Sequence, residues 1–278
     1  MPAAKTAASA PAPPPARLAG PRRTLLLAVC GVLFAALPAV AALAPLPFSV
    51  THPGDTADVL GERDGEAVIT ITGAPVRETE GELLLTTIQA TAPDATVRLA
   101  DVVRGYFAGD QAVLPRDSVY PEGDSTEEIR EHNADEMRRS QDHAVTAALA
   151  FLGMDEDDVT VELNLADVGG PSAGLLFSLG IVDMLDGDGS GGDLTGGATV
   201  AGTGTIDAGG QVGPVGGVAL KTQAARRDGA TVFLVPADEC GDATADTPDG
   251  LRLVPVSSLS GAVESLRALA AGENVPGC

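Results

Sequence analysis

No charged residue occurs between Thr24 and Val50 of this 278-residue chain, and nothing else in the sequence constrains its organisation as strongly. The centre of that run, Leu25 to Leu43, is long enough to cross a bilayer as one helix. Arg22 and Arg23 stand directly before it, which predicts a cytoplasmic N-terminus and an exported remainder. A cleaved signal peptide is the rival reading, since Ala39-Val40-Ala41 and Ala42-Leu43-Ala44 both resemble cleavage sites. The apolar run exceeds a usual signal core, and Pro45 is an awkward residue after the second site, so an uncleaved signal anchor is favoured. Pro38 inside the span is tolerable in a membrane helix. The predicted division is a disordered, Ala- and Pro-rich cytoplasmic leader (1–23), a transmembrane helix (24–44), a short stalk (45–65), one extracytoplasmic domain (66–270) and a tail (271–278).

Charge is distributed just as unevenly. Lys5, Arg17, Arg22 and Arg23 precede the first acid, Asp55, so the remainder carries thirteen bases against all 39 acids, a net of −26. A surface of that sign repels nucleic acid and anionic lipid, and nucleic-acid partners are not expected. No metal site is expected either. His132 and His143 are eleven residues apart without neighbouring Cys or Asp ligands in a zinc pattern. Asp186, Asp188, Ser190 and Gly191 fit the first half of a calcium loop, but the twelfth position is Gly197 where a bidentate Glu is needed. Gly202-Thr203-Gly204 opens like a dinucleotide turn, yet Asp207 takes the place of its third glycine, and no glycine directly precedes Lys221 as in a phosphate loop. No cofactor is therefore expected. Of the three cysteines, Cys30 lies in the apolar span, whereas Cys240 and Cys278 would both face an oxidising exterior and are free to pair.

Local patterning predicts an α+β domain. Ala67–Thr72 and Leu83–Ile88 are β-rich runs around a Gly/Pro loop, consistent with a hairpin. Val97–Phe107 has helical spacing. Ser125-Thr126-Glu127-Glu128 is a capping sequence for a solvated helix that runs into Ser140–Leu152. Val159–Leu165 alternates as a strand, Ser172–Leu185 reads as an apolar helix, Thr231–Val235 and Leu251–Val256 as strands, and Leu259–Leu269 as a final helix.

Chemistry concentrates between Val168 and Lys221. Val168-Gly169-Gly170-Pro171-Ser172-Ala173-Gly174 sets a hydroxyl on a tight turn between a strand and a helix, where helix amides can stabilise an oxyanion. A serine needs a neighbouring base, and a desolvated lysine can be that base. The chain has fifteen arginines and two lysines, Lys5 and Lys221. A merely solvated cation here would be expected to be arginine, which cannot lose its proton in a protein. Ser172 is accordingly the candidate nucleophile and Lys221 the candidate general base.

At these residues the chain resembles the proteolytic domain of the Lon proteases, which use a Ser–Lys dyad. Its serine motif stands here as Gly170-Pro171-Ser172-Ala173-Gly174. A second motif is matched without a gap by Thr203, Gly204, Ile206, Gly210, Val212, Pro214, Gly216, Gly217 and Lys221. Lon enzymes commonly carry Asp directly before Gly-Pro-Ser; here Gly169 stands there and Asp167 lies two residues further back. The likeness extends from about Glu66 to Ala270. It implies a Lon-type proteolytic fold, Ser172 as nucleophile, Lys221 as base, Thr203 as the lysine's hydroxyl partner, a polypeptide substrate and a ring-like homo-oligomer. Membrane-anchored Lon-like proteins often insert a PDZ domain before the serine strand, but only Gly153–Asp158 occupies that place. With no nucleotide motif present, the expected activity is ATP-independent cleavage of unfolded or extended segments outside the cytoplasm. The alternative is an inactive Lon-like domain serving as a membrane-tethered binding or assembly module.

Overall fold

A computed structural model describes residues 20–120, 125–165 and 170–278. The leader before Gly20, Asp167 and Gly169 lie outside the described residues. The chain divides into two compact units, with the boundary between Ala44 and Pro45.

In the first unit, α1 (Pro21–Leu43) begins with a proline at its first position, where the missing N–H has no intrahelical partner to lose. Its Leu, Val and Phe side chains are exposed. Among the described residues it is the one helix long and apolar enough to cross a membrane, with a mean hydropathy of 2.5 over Arg23–Leu43.

The second unit is built on strands β1 (Phe48–Asp58), β2 (Ile69–Thr72), β3 (Glu82–Ala90), β4 (Ala112–Pro115), β5 (Thr160–Leu163), β6 (Thr199–Gly202), β7 (Val232–Pro236) and β8 (Arg252–Val256). Six of them form one mixed sheet in the order β8-β7-β6-β3-β1-β4. The β3–β6, β6–β7 and β7–β8 ladders are parallel, and β1 runs antiparallel to both β3 and β4. β2 and β5 make a separate antiparallel pair. The longer helices are α2 (Leu99–Phe107), α3 (Thr126–Leu152), α4 (Gly174–Leu185), α5 (Val218–Arg227) and α6 (Leu259–Ala270).

The period-2 alternation of strands explains why helices cover both faces of the sheet. Leu83, Leu85, Leu234 and Val254 point to one side and pack with α4, with Ala144, Ala148 and Leu149 of α3, and with α6. Leu84, Ala201, Phe233, Val235 and Leu253 point to the other and pack against Val218 and Ala225 of α5. α4 is buried continuously from Gly174 to Asp183, which its lack of a polar face allows. Phe177 and Phe233, one on each side, are fully buried, worth about 1.5–3 kcal/mol apiece. α3 starts with the reciprocal cap its sequence suggests: Glu128 N donates to Ser125 Oγ at 3.2 Å, and Ser125 N donates to Glu128 Oε2 at 3.2 Å.

Two local expectations are corrected. Residues 45–65 are not a stalk, because β1 occupies most of that stretch and lies inside the main sheet. Nor do the runs near residues 70 and 85 form a hairpin. Ile69 pairs with Leu163, and Leu83 with Val200, so each strand takes a distant partner. The acidic loop after α4 is tied to itself and to a cation: Asp188 accepts from Ser190 N (2.7 Å) and Gly192 N (2.9 Å), while Arg77 donates to the Asp183 (2.8 Å) and Gly192 (2.9 Å) carbonyls.

Candidate active site

The site forms where β6 stops. Thr203 is the first residue past that strand, it is fully buried, and its N–H donates to the Leu234 carbonyl of β7 at 3.1 Å. The Ser172 carbonyl meets it from one face of the sheet and the Lys221 side chain from the other. The carboxyl ends of parallel strands are where helix-flanked sheets open a crevice, and the site lies at such an end.

From the α4 side comes Ser172, the middle residue of a 3-10 turn, Pro171–Ala173, that runs straight into the helix. Its carbonyl is held twice, by Gly204 N at 3.0 Å and by Thr203 Oγ1 at 3.2 Å. Leu175 N donates back to the Gly204 carbonyl at 3.2 Å, and Ser140 Oγ of α3 donates to the Pro171 carbonyl at 2.9 Å. The turn is thus fixed from two elements while Ser172 itself stays half-buried. Gly174 permits this packing: a Cβ there would stand 2.8 Å from Ser140 Oγ and 2.9 Å from Ile206 Cγ2.

From the α5 side comes Lys221. Gly217 caps that helix with φ of 71°, a left-handed conformation, and its bare Cα faces Ile88, whose Cγ2 a Cβ would meet at 2.9 Å. One turn later Lys221 is 3% exposed, and its Nζ donates to Thr203 Oγ1 at 3.0 Å. Burial pushes its pKa down from the usual lysine range to about 8, opposed by the nearby charge of Glu239. Threonine therefore joins the two: its oxygen accepts from the amine, and its hydroxyl donates to the serine carbonyl. Among the described residues no hydrogen bond links Lys221 Nζ directly to Ser172 Oγ.

Residues 131–266, which contain Ser172, Thr203 and Lys221, match the family model of the Lon protease (S16) C-terminal proteolytic domain. This part of the chain is a Lon proteolytic domain. No curated protein matches the chain. The Lon match supports a peptidase of the serine type, and a protease domain implies a polypeptide substrate.

Two residues of the candidate site carry no motif in the sequence. Ser140 is buried in the middle of a charged helix, where nothing in its neighbours distinguishes it from a solvated serine. Glu239 follows β7 by three residues and reads as one more acid of an acidic loop. In the fold it is half-buried, and its Oε2 accepts from Val215 N at 3.0 Å, ahead of the α5 cap. Burial raises its pKa, against the lowering by that N–H and by Lys221. Its signal is topological, a strand end beside the lysine helix, and no local pattern carries it.

Proposed function

We propose that the protein is a membrane-anchored, ATP-independent serine endopeptidase in which Ser172 is the nucleophile, Lys221 the general base and Thr203 the residue that positions the amine. α1 serves as an uncleaved anchor, with the catalytic domain outside the cytoplasm. The observation that carries this reading is the burial of Lys221 with its amine on Thr203, since a lysine kept out of water is a lysine prepared to be neutral. Ser172 Oγ would attack the scissile carbonyl as Lys221 takes its proton. The positive end of the α4 dipole, at the Ser172 turn, favours the developing oxyanion. The lysine then returns the proton to the leaving amine, and water, activated by the same amine, releases the acyl group. Donor–base distances in unliganded sites commonly tighten only when substrate binds.

Because the reactive lysine is the neutral one, activity must rise with pH. With a pKa of about 8 for Lys221, kcat/KM should climb about tenfold per pH unit below that value and level off above it. A pH–rate profile still rising at the ordinary lysine pKa of about 10.4 would argue against a buried, poised amine.

The substrate expectation follows from energy. A folded domain resists unfolding by roughly 5–15 kcal/mol, and a peptidase without a motor cannot supply that work. The net charge of −26 from Asp55 onward adds a preference for basic segments that fades with salt. The full-length protein should therefore cut an unfolded basic protein without ATP and spare its folded counterpart, and Ser172→Ala should yield no fragments. Equal cleavage of the folded form, or strict need for ATP, would overturn the substrate assignment. Absence of any Ser172-dependent cleavage would favour the binding or assembly module instead.

A further inference from the structure

Helix α2 has two faces, and only one of them has a partner. Gly105 is buried against Val50 of β1 and Val113 of β4, with Asp101 and Val102 beside it. The opposite face carries Leu99, Val103, Tyr106 and Phe107 at positions i, i+4, i+7 and i+8, all exposed, with Tyr106 at 76% and Phe107 at 80%. The two rings lean edge-to-face on one another, their centroids 5.3 Å apart. An exposed apolar stripe of this size is a contact surface rather than a random outcome of surface composition.

We propose that this face of α2 rests on the lipid bilayer, in the headgroup region. The proposal rests on the reading of α1 as a membrane anchor. The apolar span ends at Leu43, and Leu46 is already part of the folded domain, its N–H donating to the Val97 carbonyl at 2.9 Å. Three trans peptide units reach at most about 11 Å, so Leu46 and Val97 stay near the point where the chain leaves the membrane. Val97 is two residues before the start of α2. Composition fits the same partner. Leu, Val, Phe and a Tyr with a polar tip are what interfacial helices present to the headgroup–acyl boundary, penetrating about 5–10 Å. Local charge fits as well: α2 and its N-cap hold Arg98 and Arg104 against Asp101 alone, in a domain with a threefold excess of acids. Asp101 is engaged, accepting from Arg98 N at 3.1 Å and pairing with Arg104 at 3.4 Å.

The chain contains no tryptophan, so Phe107→Trp supplies a single reporter, at a site exposed enough to accept it. Ala271→Trp, an exposed position just past α6, the helix that follows the edge strand at the other end of the sheet from β4, is the control. Each full-length variant would be reconstituted in phosphatidylcholine vesicles with brominated acyl chains and washed with carbonate. The indole of the Phe107→Trp variant is expected to emit at shorter wavelength and to lose most of its emission to the bromines. The indole of the control variant should do neither. A chain retained after washing but with the α2 reporter unquenched would overturn the proposal while leaving the anchor intact. A chain removed by the wash would remove both. A blue shift without quenching that grows with protein concentration would assign the face to a second copy and overturn the lipid assignment.

Discussion

Lys221→Arg should lower peptide hydrolysis by at least about a hundredfold and leave the domain folded, the loss expected when a general base is removed. The substitution keeps the charge and removes the function, because a guanidinium does not deprotonate at any pH the protein survives. Loss of the positive charge would therefore not explain the effect, and loss of a proton acceptor would. Burial sharpens the contrast: a neutral lysine fits a 3% exposed position at little electrostatic cost, whereas arginine must stay charged there beside Glu239. Ser172→Ala should reach the same residual rate, and the double variant should be no slower than either single one, since groups acting as a unit are not additive. Measuring kcat/KM on an unstructured basic peptide, with circular dichroism as the folding control, decides the matter. Near-normal cleavage by the arginine variant would remove Lys221 from the mechanism.

Breaking the Cys240–Cys278 disulfide should destabilise the domain by about 3–4 kcal/mol, on the chain-entropy account for a loop of that length. The bond is formed in the structure across a separation of 38 residues. It pins a C-terminal tail that already lies against β8, where Val275 is buried and Arg252 holds both the Asn274 side chain and the Val275 carbonyl. Cys240 is also the neighbour of Glu239, so a loosened tail acts on the group that faces the lysine. Urea unfolding of the full-length protein in detergent, with and without reductant and again for Cys278→Ser, should show a lower midpoint in both treated cases. An unchanged midpoint would mean that the tail's packing suffices without the covalent bond.

The turns that carry Ser172 and precede Lys221 were legible in the sequence because both are glycine-rich with fixed spacing, and such turns are local. The long helices were equally legible from caps and apolar period. The first strand was not. β1 turns Ser49 and Thr51 inward, both buried, with Thr51 Oγ1 donating to the Ala112 carbonyl at 3.2 Å, so the inward positions are not hydrophobic. It also contains Pro53 and Gly54 at a break in its register with β3, and these read as loop residues. The mistaken hairpin has another cause. Sequence proximity suggests that β2 and β3 pair with each other, but β2 pairs with β5 some ninety residues on, β3 lies between β1 and β6, and no local signal reports that. Glu239 belongs to the same class: its position beside Lys221 exists only once β7 and α5 are assembled.

The parallel ladder between β3 and β6 has a consequence for where this domain can be cut. The family likeness begins at residue 131, after β1, β2, β3 and β4 have already been laid down. Yet Leu83, Leu84 and Leu85 pair in register with Val200, Ala201 and Gly202 and supply side chains to both cores. A fragment trimmed to the recognisable segment would bare the backbone of β6 directly beside Thr203, an open strand edge of the kind that recruits other chains. The unit that folds cooperatively therefore begins near Phe48, more than eighty residues upstream of the unit that a family comparison recognises.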